Sequence, residues 1–192
     1  MTTYRPLAFM GAAVLLTISV AVPAAAQPVR WSGNGHRYER VDDDTLTWEQ
    51  ARQAAVARGG YLVTITSKEE NEFLSTTWGS SLLSHWTGGL QPPGSPEPGG
   101  GWTWVTGEAF VYSNWDGGEP NNDGGAENRI ELSSNTTGDG NAWNDVPDDV
   151  TRDGYVIEWD EASVPLLGTW GIGALLALIA AAGLITLRQY RG

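Results

Sequence analysis

Side-chain oxygens crowd one stretch of this chain. From Asn114 to Asn128 it carries Asp116, Glu119, Asn121, Asn122, Asp123 and Glu127 between paired glycines, with Pro120 stiffening the backbone and no lysine or arginine. Such a loop cannot bury itself, and its carboxylates repel one another unless a hard cation sits among them. Calcium suits them, because it takes about six to eight oxygen ligands from carboxylates, amides and carbonyls. A second oxygen-rich stretch follows at Asn141-Ala142-Trp143-Asn144-Asp145. Folded against the first, it completes a cage of Glu119, Asn121, Glu127, Asn144 and Asp145. The competing reading is a solvated turn whose Asp, Asn and Gly residues merely bend the chain.

Elements able to hold such a cage flank it. His36 to Val41 reads as a strand and Asp42-Asp43-Asp44 as an acidic turn. Thr47-Trp48-Glu49-Gln50 has the pattern of a capping box, opening an alanine-rich helix to Arg58 that Gly59-Gly60 ends. Tyr61 to Ile65 reads as a strand, and Ser67-Lys68-Glu69-Glu70 repeats the capping pattern before a second short helix towards Trp78. Further strands are expected at Trp86 to Leu90, Trp102 to Val105, Arg129 to Leu132 and Tyr155 to Trp159, separated by long loops rich in glycine, proline and asparagine. Helices first, then strands and loops, predict an α+β domain with antiparallel sheets. Ten tryptophans supply the apolar surface that pins such loops to a core. Pro92 to Gly101 reads as a loop tip.

Between residues 28 and 163 lie 23 acidic and 8 basic residues, a net charge of −15. A domain this acidic does not bind nucleic acid unaided. Cysteine is absent, which excludes thiol catalysis and cysteine-ligated zinc, and two histidines, His36 and His85, supply a transition-metal site poorly. The ends differ from the middle. Residues 1–26 have a positive charge at Arg5, an apolar run from Leu7 to Val22 and the small-residue site Ala24-Ala25-Ala26, the pattern of a secretory signal peptide. Leu166 to Leu187 is uncharged and long enough to cross a bilayer as a helix, with Arg188 and Arg191 directly after it. The expected organisation is thus a signal peptide, a domain over 28–163 and a tail over 164–192 that anchors the exported protein in the cell envelope, permanently or until it is cut.

Five pieces in order make residues 30–160 resemble a C-type lectin-like domain: Leu46-Thr47-Trp48-Glu49-Gln50-Ala51, Gly60-Tyr61-Leu62-Val63-Thr64-Ile65, Trp86-Thr87-Gly88-Gly89-Leu90, Glu119-Pro120-Asn121 and Trp143-Asn144-Asp145. The resemblance implies that fold, with two helices, antiparallel sheets and a long calcium-binding loop region. It also implies that Glu119, Asn121, Glu127, Asn144 and Asp145 ligate one Ca2+ and bind a sugar through it. Glu-Pro-Asn is similar to members that prefer mannose, N-acetylglucosamine or fucose, and a cis peptide before Pro120, as the family has, would turn both side chains towards the ion. A second calcium common in the family would need carboxylates near Gln91 and Asn122, both neutral here. Where the family has paired cysteines, this chain has Ala55 with Ile157 and Arg129 with Asp148, an apolar contact and an ion pair in place of disulfides. The tail from Val164 resembles the IPTL-CTERM sorting signals of Gram-negative bacteria, with Val-Pro-Leu-Leu where Ile-Pro-Thr-Leu is usual.

Three functions compete. A surface or secreted bacterial lectin would bind glycans or glycoproteins in adhesion or glycan recognition. A calcium-stiffened module would bind protein and no sugar. A glycoside hydrolase would use Glu119 and Glu127 as paired carboxylates, but carboxylates sharing one calcium stay ionised and a general acid needs a raised pKa, so no enzyme is expected. Asn135-Thr136-Thr137 is formally a glycosylation acceptor.

Overall fold

The computed structural model describes residues 27–133 and 141–160. The signal peptide, the sorting tail and the Asn135 acceptor all lie outside the described residues. Eight strands, β1 (Val29–Arg30), β2 (Arg37–Asp42), β3 (Tyr61–Leu62), β4 (His85–Leu90), β5 (Thr103–Trp104), β6 (Glu127–Leu132), β7 (Trp143–Pro147) and β8 (Gly154–Trp159), form one sheet. Its main path runs β1-β2-β8-β4-β6-β7, with β3 also on β8 and β5 also on β4. Among these described strands every pairing is antiparallel except β4 with β8. Two helices, α1 (Trp48–Ala57) and α2 (Lys68–Trp78), complete an α+β architecture. β2 and β8 pair in continuous register from Arg37 opposite Trp159 to Asp42 opposite Gly154, so the two ends of the domain close on each other.

Helix α1 starts as its sequence predicts: Gln50 Oε1 accepts from the Thr47 backbone N–H at 2.9 Å. At α2 only half of the predicted box forms. Ser67 Oγ accepts from Glu70 N at 3.2 Å, but the Glu70 side chain turns inward and accepts from Thr66 N and the Tyr38 hydroxyl instead. Tertiary partners in the core outcompete the local turn for that carboxylate.

Strand β8 divides the core by its alternation. Tyr155 and Ile157 join Trp48, Ala51, Ala55, Leu62, Trp86 and Val146 on the α1 side. Val156 joins Val63, Leu74, Ile130, Leu132, Trp104 and Trp143 on the other. Ala55 and Ile157 are both fully buried in one cluster, the apolar replacement expected for a disulfide. Indole N–H groups cross-link helix to sheet: Trp48 Nε1 donates to Thr87 O at 2.8 Å, and Trp86 Nε1 to Leu46 O at 3.1 Å. The Gly88-Gly89 pair in β4 is forced by close approach, since a Cβ would lie 2.5 Å from Leu62 O at Gly88 and 2.3 Å from Ile130 Cδ1 at Gly89. Trp159 is only half-buried; its Nε1 donates to Arg58 O at the C-terminal end of β8.

Arg129 reaches Asp148 at 3.2 Å, joining the segments as predicted, and its guanidinium also lies 4.4 Å from the centre of the Trp48 ring. The cation–π contact adds about 1 kcal/mol to an exposed ion pair that contributes at most about 1 kcal/mol. Replacing Arg129 by Met is therefore expected to cost about 1–2 kcal/mol, and Asp148→Ala less than half of that, in urea denaturation of the two variants. Equal losses would mean that the stack on Trp48 contributes nothing.

A buried polar cluster lies under β2 and β8. Glu70 and Glu158 are each 1% exposed. The Tyr38 hydroxyl donates to Glu70 at 2.5 Å and lies 3.1 Å from Glu158, while His36 Nδ1 meets Glu158 at 2.6 Å. Burial pushes both carboxyls up, Glu158 to about 7. At His36 burial opposes the shift, but the hydrogen bond and charge of Glu158 prevail and raise it. All three shifts make the folded cluster hold more protons than the unfolded chain, so stability present near pH 4.5 is lost as pH rises through 7. In EDTA the midpoint of thermal unfolding should fall by several degrees from pH 5 to pH 8, and Glu158→Gln should flatten that slope. A slope unchanged by the substitution would remove Glu158 as its source.

Candidate functional site

The site is built where a long loop is laid along the outer edge of the sheet. β7 ends the main strand path, and its first residue holds the loop by backbone: Trp143 N donates to Asn114 O and Asp116 N donates to Trp143 O, each at 2.8 Å. Trp115 thereby bridges Trp143 in parallel. Beneath this seam the Trp143 ring, fully buried, receives Trp104, Phe110, Tyr112 and Trp115 at centroid distances of 5.6 to 6.1 Å, all close to edge-on. Trp143 thus lies under the site, and Trp115, half-buried, packs against Trp102 at 5.0 Å.

Once the loop is pinned, the predicted residues converge. The Glu119–Pro120 peptide is cis, a geometry the sequence left open. Asp145, fully buried, accepts from Asn121 N at 3.0 Å on Oδ1 and from Asn122 N at 2.8 Å on Oδ2. A single backbone N–H, that of Asp123, is shared at 2.7 Å by Asn121 Oδ1 and Glu127 Oε2, which places those two oxygens side by side. Asn122, in the left-handed region at φ 51°, accepts from Glu127 N through its own Oδ1 at 3.0 Å. Glu119, Asn121, Glu127 and Asp145 are therefore brought together. Asn144 stands beside them on β7, with its amide N–H donated to Glu131 Oε1 at 3.2 Å.

The electrostatics are unbalanced. Glu119 is pushed up by burial and then by the charge of Asp145 and hydrogen bonding with it, with Glu127 and Asp116 adding to the effect. Burial raises Glu127 too, against the help of Asp123 N, and Asp145 and Asp123 add repulsion. Glu119 Oε2 is buried without a hydrogen-bond partner. Oxygens crowded in this way call for a proton or a cation. Among the described residues no three carboxylates or imidazoles converge tightly enough to hold an ion by themselves. A cation here would need the amide oxygens of Asn121 and Asn144 as well as Glu119, Glu127 and Asp145. Mixed carboxylate and amide oxygens fit calcium, and each oxygen already bonded to a backbone N–H keeps a further lone pair for the ion.

Sequence reasoning passed over three residues of this region. Asn122 was visible only as a neutral residue where a second calcium would want a carboxylate, yet it orders the loop by holding Glu127 N. Glu131 and Arg152 carried no signal, since neither lies in a motif. Gln91, the other neutral position, is 2% exposed and donates to Pro98 O and Gly100 O, so it ties down its own loop. Elsewhere, a cavity of about 610 Å³ is lined by Asp42, Asp43, Asp44, His85 and Asp153. His85 has Nδ1 on Leu83 O at 2.8 Å and Nε2 on Asp42 at 3.2 Å, so neither ring nitrogen is free to serve as a base, in keeping with a structural role.

A family model, the lectin C-type domain, matches residues 44–155. Halomucin from Haloquadratum walsbyi is 30% identical over 143 residues, 66% of this chain but 1% of that protein. Human C-type lectin domain family 4 member K is 38% identical over 109 residues, 55% of this chain and 30% of its own length. The chain thus spans only a minor part of these relatives. Among solved structures, the cow C-type carbohydrate-recognition domain of CD23, determined in the presence of GlcNAc2Man3 oligosaccharide, is similar with a TM-score of 0.57 at 28% identity, covering 72% of this chain and 95% of that one.

Repulsion within the site has a measurable consequence. In EDTA at pH 7, Glu119→Gln should raise the midpoint of thermal unfolding, because it removes a partly buried charge that faces Asp145. A lowered midpoint would show that the Glu119 carboxylate is already balanced by the protein.

Proposed function

The chain belongs to the C-type lectin domain family, and on that footing we propose that it is a calcium-dependent carbohydrate-binding protein of the mannose, N-acetylglucosamine or fucose type. The observation that carries the reading is the contact between Glu119 and Asp145, with a Glu119 oxygen buried and unpartnered. An ion supplied to Glu119, Asn121, Glu127, Asn144 and Asp145 would relieve that repulsion. Calcium bound there supplies open coordination positions for two neighbouring sugar hydroxyls. Each hydroxyl would also donate to a carboxylate such as Glu119 or Glu127 and accept from an amide such as Asn121 or Asn144. The order Glu119-Pro120-Asn121 supports the mannose-type preference by its resemblance to such members. Family and fold are those of recognition domains, and with the carboxylates held ionised the site lacks a general acid.

The site is an open shelf at a sheet edge, so a single sugar should bind weakly, and several copies on one surface would add avidity. Export and anchoring belong to the same proposal. They rest on the sequence of residues 1–26 and 164–192, which would place a bacterial lectin at the cell envelope or outside the cell, in contact with glycans or glycoproteins.

Thermal unfolding in EDTA, in calcium, and in calcium with mannose or galactose tests the reading. A site of about 0.1 mM affinity at a hundredfold excess of ion stabilises by roughly 2.7 kcal/mol, on the order of 10 °C for a domain of this size. Mannose should add to the shift only when calcium is present, and galactose should add less. Calcium stabilisation without any sugar response would move the protein to the class of calcium-stiffened protein-binding modules. No calcium shift would remove the site.

A further inference from the structure

One cage residue is held differently from the other four. Glu119, Asn121, Glu127 and Asp145 are tied to one another or to the backbone of residues 121–123. Asn144, next to Asp145 on β7, bonds to the neighbouring strand instead. It lies across from Glu131 on β6 and donates its Nδ2 to Glu131 Oε1 at 3.2 Å. Glu131 is itself 9% exposed, and its second oxygen is ion-paired with Arg152. The Arg152 guanidinium in turn lies 5.4 Å from the centre of the fully buried Trp86 ring, and its Nη1 donates to Thr151 O at 3.0 Å. A continuous chain of contacts therefore runs from the core through Arg152 and Glu131 to the amide of Asn144.

A carboxamide has two ends of almost equal size and opposite chemistry. Its oxygen can ligate a cation; its NH2 group only donates. Nothing in the shape of Asn144 decides which end faces the cage, but a carboxylate can only accept, so Glu131 selects the NH2 end and leaves Oδ1 for the ion. The second Nδ2 proton remains for a ligand hydroxyl.

We propose that Glu131, fixed by Arg152, is a positioning residue that sets the orientation of the Asn144 amide and thereby the affinity of the site for calcium and, through it, for sugar. This rests on the calcium reading above. Glu131 touches neither ion nor sugar in this role. It acts through Asn144 as an outer partner that fixes a ligand's direction, and loss of such partners typically weakens metal binding by about 10- to 100-fold.

The near-isosteric variant gives the sharpest test. In Glu131→Gln the Arg152 guanidinium claims the only remaining oxygen, so the Gln NH2 group faces Asn144 and favours the flipped amide. Calorimetric calcium titration of the purified protein should show affinity weakened by about tenfold or more in E131Q and E131A. The double variant E131Q/R152M, in which the Gln oxygen is free to accept from Asn144, should recover most of it. Loss and restoration of charge would shift affinity in the same directions. The metal-free protein therefore supplies a second readout: in 15N-labelled wild type one Asn144 Nδ2 proton should resonate downfield of ordinary Asn side chains, return to the usual position in E131Q and move back in the double variant. Thermal midpoints in EDTA verify that each variant is folded.

Calcium affinity in E131Q within twofold of wild type, or an Asn144 amide that the substitution leaves unmoved, overturns the role given to Glu131 while the calcium site stands. Wild type that takes up no calcium overturns the calcium reading, and with it the purpose assigned to Glu131.

Discussion

The candidate site hangs on how Trp143 is held. Its ring is fully buried under four other aromatic rings, its Nε1 donates to Asn71 Oδ1 at 3.2 Å, and its backbone N–H and C=O grip the incoming loop at Asn114 and Asp116. Asn71 closes the arrangement from α2 by donating to Asn141 O, which also accepts from Asn114 Nδ2. A loop rich in Gly, Asn and Asp has little apolar surface of its own with which to offset the entropy of ordering. Here the indole cluster supplies that surface, and the backbone bonds at Trp143 set the register. Asp145, two residues further on, then meets Asn121, Asn122 and Glu119 without further adjustment.

The absence of cysteine makes the other joints instructive. The long-range closure of the domain falls to the six-residue pairing of β2 with β8, to the Ala55 and Ile157 packing beneath it, and to Arg129, which serves Asp148 and Trp48 at once. None of these is covalent. The buried cluster of Tyr38, Glu70, Glu158 and His36 adds hydrogen bonds that fix β2 against α2 and β8, at the cost of two carboxyls taken out of water. Burial and mutual repulsion therefore raise carboxyl groups in two separate places. Under β2 the relief comes from a proton and from His36. At the loop, on the proposed reading, it would come from a bound cation.

Glu131 shows how a site extends beyond its motif. Its partner Arg152 lies on the segment leading into β8, which runs through the core to Trp86 and the α1 side, so the direction of one amide at the sheet edge is set by packing on the far face of the domain. On the proposed reading, an aspect of affinity would thus be written in residues that no pattern of oxygen ligands would select.

The sequence alone determined the kind of domain and the loop whose oxygens converge. Capping residues, glycine stops and alternating strands depend on neighbours in the chain, and so α1, α2 and most strands were legible; so was the oxygen-rich, cysteine-free loop, because its composition admits few occupants. The two-residue strand β1, the role of β7 as the edge strand and the inward turn of Glu70 were not, because each is settled by partners outside its own segment. Tertiary structure alone decided that Trp143 lies beneath the cage, that Asn122 orders it and that Glu131 and Arg152 hold the Asn144 amide. The physical reason is the same in each case. Which atoms an oxygen or an amide can bond is fixed by its residue type, whereas which of them it does bond depends on the few ångströms that only the assembled sheet and loop define.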